Sequence, residues 1–156
     1  MTNNDFKKLI EVKLERLEVS LGFTVESQFK NVFASALMTD GAYEEYKKLN
    51  EVDHLGKYRG LETVGDAVLG LIVSDLLADK HYNREQITEV KKTMVSNQAL
   101  QKRCHFMKDM MIEVNVANTD KKKYAKAIER LLGALHRTYG DDIVKKYMRE
   151  KNVIEN

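Results

Sequence analysis

Two carboxylates four positions apart, Glu62 and Asp66, are the residues of this sequence best placed to do chemistry. In a helix this spacing points both side chains from one face, and Leu69 and Val73 share that face. We therefore expect both acids to be buried among apolar residues, where desolvation and mutual repulsion oppose their ionisation. Either a Lys or Arg from a neighbouring helix or a bound metal ion would offset that cost.

A third acid, Glu129, lies in the same helical sector as Ala125, Leu132 and Gly133, among small and apolar residues. If this later helix packs on the segment that carries the first two acids, three carboxylates converge. Carboxylate oxygens are the ligands that Mg²⁺ and Mn²⁺ prefer. Spacing alone does not separate such a metal site from ordinary ion pairs, because acids are common on helices.

The composition of the chain predicts helices as the elements that carry these acids. The 156 residues are 43% hydrophobic and include no Pro, the residue that breaks helix interiors. We therefore predict an all-α fold in one domain over residues 1–156, a length that can bury a sizeable core. The segment 112–116, IEVNV, resembles a strand but is too short and isolated to build a sheet.

Apolar residues at three- and four-residue steps predict about seven helices. Asn4 or Asp5 can cap the first and Gly22 ends it, while Asn83 and Gln86 form a capping box for a later one. A polar loop with room for one short helix is expected over residues 41–57. The predicted helices cover residues 6–21, 25–37, 61–78, 84–94, 96–107, 120–139 and 142–151, the sixth capped by Thr119 or Asp120.

The segment 61–78 is apolar almost all round, which is typical of a central helix surrounded by others. Gly65 and Gly70 each lower its helix propensity, by roughly 1 kcal/mol relative to Ala. We expect both glycines to allow close approach of a neighbouring helix.

The charges are nearly balanced, with 26 Lys and Arg against 24 Asp and Glu, which argues against a general polycation. They are unevenly distributed, because residues 121–156 hold 10 basic against 5 acidic residues. The cluster Lys121, Lys122 and Lys123 either faces a polyanion or forms the solvated first turn of a helix.

The single cysteine, Cys104, cannot form an internal disulfide, and no apolar run is long enough for a signal peptide or a membrane span. We therefore expect a cytoplasmic protein in a reducing compartment, with no membrane association.

Three segments resemble the ribonuclease III family. YRGLETVGDAVLG, residues 58–70, is similar to the family signature, which reads approximately NERLEFLGDAVL. MVSNQAL, residues 94–100, resembles the family segment LVNREAL, and AKAIERLLGALH, residues 125–136, resembles ADAFEALIGALY. The resemblance covers nearly the whole chain. It implies an all-helical, dimeric endonuclease domain that cuts double-stranded RNA with divalent metal held by four acids.

Carried onto this sequence, the resemblance makes Glu62, Asp66 and Glu129 the catalytic residues and the ligands of Mg²⁺ or Mn²⁺. The fourth acid of the family, an Asp three residues before the late Glu, falls on Lys126 here. Lys126 either fills the site itself, in an ion pair with Glu129, or swings away and leaves three acids to hold one cation.

Further departures lie in the early segments. The family's LTHRSY aligns with LMTDGA, residues 37–42, so its His and Ser become Thr39 and Gly41, and the first Glu of the signature becomes Arg59. No double-stranded-RNA-binding domain is expected after the helical domain. RNA contacts would then fall to that domain, to an accessory partner, or to Lys121, Lys122 and Lys123.

Three functions follow as hypotheses. The first is metal-dependent cleavage of double-stranded RNA by a homodimer, with a heterodimer left open. The second is a degenerate family member that keeps RNA binding and serves as a structural component of a ribonucleoprotein. The third is a helical interaction domain with no role on RNA.

Overall fold

A computed structural model describes residues 1–114 and 120–154 of the chain. These residues form eight α-helices, and their one extended pairing is an isolated bridge between Met38 and Ile112, so the predicted all-α fold is confirmed. The helices are α1 (Asn3–Leu21), α2 (Lys30–Leu37), α3 (Asp40–Leu49), α4 (Leu61–Asp79), α5 (Arg84–Met94), α6 (Asn97–Arg103), α7 (Lys123–Tyr139) and α8 (Asp141–Glu150).

Short 3₁₀ turns account for most of the differences between predicted and observed helix bounds. The turn Ser27–Phe29 precedes α2, so that helix begins later than the apolar pattern suggests. The turn His105–Asp109 follows α6 and ends the predicted helix over 96–107 early. Of the strand-like segment 112–116, Ile112 makes only the bridge to Met38, and residues 115 and 116 lie outside the described residues.

The helix α3, 10 residues long, lies in the segment predicted as a loop with room for one short helix. Its start is fixed by the Thr39 hydroxyl, which accepts a hydrogen bond from the Ala42 backbone N–H at 3.1 Å. Ala42 and Tyr46, one turn apart, are its buried residues. The segment is polar because the rest of the helix faces solvent, and this hides the helical periodicity.

Other local signals act as predicted. The capping box of Asn83 and Gln86 starts α5, and Gly22, with φ +83°, ends α1 in the left-handed conformation. The cap of α1 is Thr2 rather than Asn4, with Asp5 returning the second bond of its own capping box. Thr119 lies outside the described residues, while the Asp120 side chain accepts from the Lys122 backbone N–H just before α7.

The core is organised around α7, which packs extensively on α4 and also contacts α2, α6 and α8. Every residue from 127 to 135 is buried. The prediction that α4 is surrounded by other helices holds only in part, because Leu71 on its outer face is 58% exposed. In the described residues no helix is both long and apolar enough to cross a lipid bilayer.

Candidate metal centre

The helices α4 and α7 cross at an unusually short distance. A Cβ at Gly65 would lie 1.6 Å from the backbone oxygen of Glu129, and a Cβ at Gly133 would lie 2.2 Å from that of Leu61. Only glycine fits at both positions, so the predicted role of Gly65 is confirmed. The same expectation for Gly70 is wrong, because nothing lies within 4 Å of a Cβ there.

This crossing brings the three predicted acids to one place. Asp66 follows Gly65 in the chain, and its carboxyl meets the carboxyl of Glu129 in a hydrogen bond. Glu62, one turn earlier on α4, is close enough to act electrostatically on Glu129. Sequence-distant acids from two helices thus form a single cluster, which we call the acid cluster: Glu62, Asp66 and Glu129.

The three acids differ in their exposure to solvent. Glu129 is 8% exposed, whereas Glu62 is half-buried and Asp66 is exposed. The expectation that Glu62 and Asp66 are both buried is therefore wrong. The reason is that α7 covers the Gly65 side of α4 and leaves the neighbouring Asp66 at the edge of the contact.

Burial and its two acidic neighbours raise the pKa of Glu129 to about 8. Loss of hydration is the largest cause, the hydrogen bond with Asp66 is the next, and the charges of Asp66 and Glu62 add to both, while Arg130 opposes them. At neutral pH the Glu129 carboxyl therefore keeps its proton and donates it in the hydrogen bond with Asp66. Two carboxyl groups this close need a proton or a cation between them.

No basic side chain neutralises the acid cluster directly. In residues 1–114 and 120–154 no Lys, Arg or His forms an ion pair with Glu62, Asp66 or Glu129. The alternative to a metal ion was an ion pair between the acids and a Lys or Arg of a neighbouring helix. The described residues contain no such ion pair.

Lys126 turns away from the acid cluster. Its Nζ atom lies 3.2 Å from Oδ2 of Asp120. The pKa of Asp120 is lowered mainly by a hydrogen bond from the Lys122 backbone N–H, and to a smaller degree by this contact with Lys126. Of the two arrangements considered for Lys126, an ion pair with Glu129 and a side chain swung away, the structure has the second.

The donor set suits a hard divalent cation in kind, because carboxylate oxygens from α4 and α7 meet and no basic side chain of the described residues forms an ion pair with them. The set is incomplete as a coordination shell. Among the described residues no three His, Cys, Asp or Glu side chains are arranged to hold a metal ion. Asp66 and Glu129 are the two acids already in contact, and Glu62 is the third candidate ligand.

Two arginines beside the site escaped the sequence analysis as functional residues. Arg59 donates from Nη1 to the Ser35 carbonyl at 2.7 Å and from Nη2 to Asp40 at 2.8 Å. Arg130 is 4% exposed and donates from Nε to the carbonyl of Ala36 at 3.1 Å. A charged residue directly after Glu129, inside an apolar helix, was the signal that could have identified Arg130.

The predicted RNA-binding lysines are not equivalent. Lys121 and Lys122 are exposed, whereas Lys123 pairs with Glu113 at 3.6 Å. A thiol nucleophile is excluded at Cys104, because burial raises the pKa of its thiol to about 12.

The sequence model of the Ribonuclease III domain matches residues 59–140, slightly more than half of the chain. No match was found among curated proteins.

Two solved structures of the nuclease domain of ribonuclease III from Campylobacter jejuni have similar folds. Their TM-scores are 0.69 and 0.67, each is 22% identical, and each alignment covers 88% of this chain and 94% or 92% of the other. The first was described for structural flexibility in a region involved in dimer formation. At this identity the likeness establishes the fold.

Proposed function

This chain belongs to the Ribonuclease III domain family, and from that premise we propose that it cleaves double-stranded RNA with the help of Mg²⁺ or Mn²⁺. Glu62, Asp66 and Glu129 are the proposed metal ligands and catalytic residues. The matched segment contains all three.

The observation that carries this proposal is the contact between the carboxyl groups of Asp66 and Glu129 where α4 and α7 cross. These two acids have no ion-pair partner among the described residues, and they repel each other once both are ionised. The close packing at Gly65 and Gly133 holds the two helices that carry them together. A cation between the two acids would offset that repulsion.

A divalent cation, when bound, supplies an activated water and stabilises the charge that develops on the phosphate. The chain's own residues supply the oxygen ligands. Glu129 must give up its proton before it can serve as a ligand, so a rise in pH favours metal binding. Glu129 is a buried residue of α7, and this burial holds its side chain in position against Asp66.

Recognition of RNA in this proposal depends on shape and phosphate contacts rather than on bases, since the major groove of A-form RNA is too narrow for side chains. Lys121 and Lys122, exposed just before α7, are the proposed phosphate contacts outside the acid cluster. They directly precede the helix that carries Glu129.

A second candidate function is RNA binding without cleavage. Lys126 at the position of the fourth acid favours it, and so does the lack of a three-ligand group among the described residues. In that case the acid cluster would be part of the family fold without a catalytic role, and the protein would act as a structural component of a ribonucleoprotein.

We further propose that the chain forms a homodimer, since a two-fold axis would place two acid clusters in one assembly. Light scattering that gives the mass of two chains supports the homodimer. A single 18.0 kDa chain at micromolar concentration contradicts it.

Incubation of the purified protein with a long RNA duplex and Mg²⁺ or Mn²⁺ separates the two functions. Cleavage by the wild type that is lost in Glu129→Gln and kept in Glu11→Gln supports the nuclease. Glu11 is a suitable control because it is an exposed acid on α1. If the RNA duplex stays intact and binds the protein saturably, the result supports RNA binding without cleavage.

A further inference from the structure

A small pocket lies beside the acid cluster, between the first turn of α3 and the start of α7. Its volume is about 100 Å³, and three basic side chains line it, Lys123, Lys126 and Arg130. Residues 39–41 form the opposite wall. None of these basic residues belongs to the proposed metal centre.

The acids in the pocket wall do not cancel its positive charge completely. Each of the three acids, Asp40, Glu113 and Asp120, has a basic partner within ion-pair distance among the described residues. The pairs are Lys126 with Asp120 at 3.2 Å, Lys123 with Glu113 at 3.6 Å and Arg59 with Asp40 at 2.8 Å. Arg130 is the basic residue that remains.

Arg130 is a buried cation without a carboxylate of its own. Its Nε is bound by the Ala36 carbonyl, but in the described parts of the chain no acidic oxygen lies within 4.0 Å of its guanidinium. Burial and the charge of Arg59 lower the pKa of Arg130 to about 10, whereas the charges of Glu62, Asp40 and Glu129 oppose this decrease, so Arg130 stays protonated at neutral pH. A buried charge of this kind is unfavourable unless something pairs with it.

The other wall of the pocket offers backbone donors. Thr39 caps α3 and takes the N–H of Ala42, whereas no described residue accepts a hydrogen bond from the N–H of Asp40 or Gly41. Gly41 also leaves space, because a Cβ there would have only the Thr39 hydroxyl as a neighbour, at 4.0 Å. The start of α3 therefore adds a partial positive charge to that of Arg130.

We propose that this pocket binds a phosphate group, held by the Arg130 guanidinium, the Lys126 ammonium and the first backbone N–H groups of α3. A guanidinium matches two phosphate oxygens at once, and a helix N-terminus is a common phosphate site. The volume is roughly three times the 30 Å³ share of one water, and far below the 300 Å³ of a pocket for a drug-sized ligand. It suits a single phosphate rather than a nucleoside.

The source of the phosphate follows from the position of the pocket. Arg130 is the residue after Glu129, so a bound phosphate lies next to the acid cluster. We assign it to the backbone of an RNA strand, and this assignment rests on the proposed function. Binding of a phosphate by the pocket does not rest on it.

A calorimetric titration of the metal-free chain with inorganic phosphate tests whether the pocket binds phosphate. We expect saturable binding in the millimolar range or tighter by the wild type. Lys126→Gln should weaken it about tenfold, because a charge-assisted hydrogen bond is removed. Lys8→Gln is the matched control, an exposed lysine on α1 that does not line the pocket, and should change the affinity less than about twofold at physiological salt.

Gly41→Ala provides a variant that keeps every charge and adds only one methyl group to the pocket wall. It should also weaken phosphate binding, with the unfolding transition unchanged. No saturable binding by the folded wild type overturns the proposal. Equal reductions of affinity in Lys8→Gln and Lys126→Gln, or full binding by Gly41→Ala, overturn it as well.

A competition experiment tests the source of the phosphate. Addition of a short RNA duplex in EDTA should displace phosphate from the wild type if the pocket holds an RNA backbone phosphate. Phosphate that stays bound in the presence of saturating duplex overturns the RNA assignment. Neither result depends on cleavage, so a failure here is distinct from a failure of the Glu129→Gln assay.

Discussion

The α-carbon of Gly65 packs directly against the backbone of Glu129, so closely that a Cβ at residue 65 would lie 1.6 Å from the Glu129 carbonyl oxygen. Asp66 is the next residue, and its carboxyl therefore meets that of Glu129. One helix crossing thus determines both the packing of the core and the geometry of the candidate metal centre.

The variant Gly65→Ala should lower the free energy of unfolding by about 3 kcal/mol, the upper end for overpacking, because the added methyl group meets backbone rather than a movable side chain. Gly70→Ala is the matched control on the same helix, with open space around its Cβ. It should raise the free energy of unfolding by about 0.5–1 kcal/mol. Urea denaturation measures both, and similar effects of the two variants would refute the close crossing.

The titration of Glu129 should be visible in stability. The folded protein holds this proton more tightly than the unfolded chain, with a pKa of about 8 against an ordinary value of 4.5. The free energy of unfolding of the metal-free protein should therefore fall as pH rises through this window. In Glu129→Gln that decrease should be absent, whereas Glu11→Gln should follow the wild type. Parallel curves for wild type and Glu129→Gln would show that Glu129 is not perturbed.

Lys126→Asp should make the metal-free protein less stable than Lys126→Gln does. The Gln variant loses only a partly exposed ion pair, worth less than about 1 kcal/mol, whereas the Asp variant places a carboxylate against Asp120. Mn²⁺ should bind Lys126→Asp more tightly than wild type and stabilise it by about 2.7 kcal/mol at 100 times the dissociation constant. Duplex cleavage should rise in the same variant. Unchanged metal affinity would mean that residue 126 lies outside the metal centre.

The exposed lysines before α7 should govern the salt dependence of RNA binding. Changing Lys121 and Lys122 to Ala should flatten the slope of log affinity against log salt by roughly one unit for each phosphate that the protein no longer binds. Adding Lys123→Ala should have a smaller effect, since Glu113 already pairs with that lysine. Lys7 and Lys8, exposed on α1, are the matched control pair. An equal change in slope from the control pair would assign the effect to net charge alone.

Local signals in the sequence predicted much of the fold. The capping box at Asn83 starts a helix and Gly22 ends one, each through contacts within a single turn. Gly65, in the family signature, acts through one close contact between helices. The resemblance to the ribonuclease III family is confirmed by the match over residues 59–140. The convergence of Glu129 with Asp66 was predicted on the condition that the two helices pack on each other, and Gly65 was predicted separately to allow a close neighbour.

The periodicity of apolar residues could not predict features that depend on tertiary contacts. Periodicity placed Asp66 on an apolar face, but only the position of α7 decides which part of that face is covered, and Asp66 is exposed. Lys126 pairs with Asp120 rather than with Glu129, which a spacing rule within one helix does not reveal. The buried Arg130 has its partner, the Ala36 carbonyl, on α2, far away in the sequence.

The binding of Mn²⁺ to the purified chain, followed by the decrease in the electron paramagnetic resonance signal of the free ion, tests the central claim most directly. The account predicts saturable binding by the wild type, weakened more than about tenfold in Glu129→Gln. Glu11→Gln should bind as the wild type does. Equal Mn²⁺ affinity in wild type and Glu129→Gln, or no binding by the folded wild type at a pH above 8, where Glu129 is ionised, would contradict a metal centre at the acid cluster.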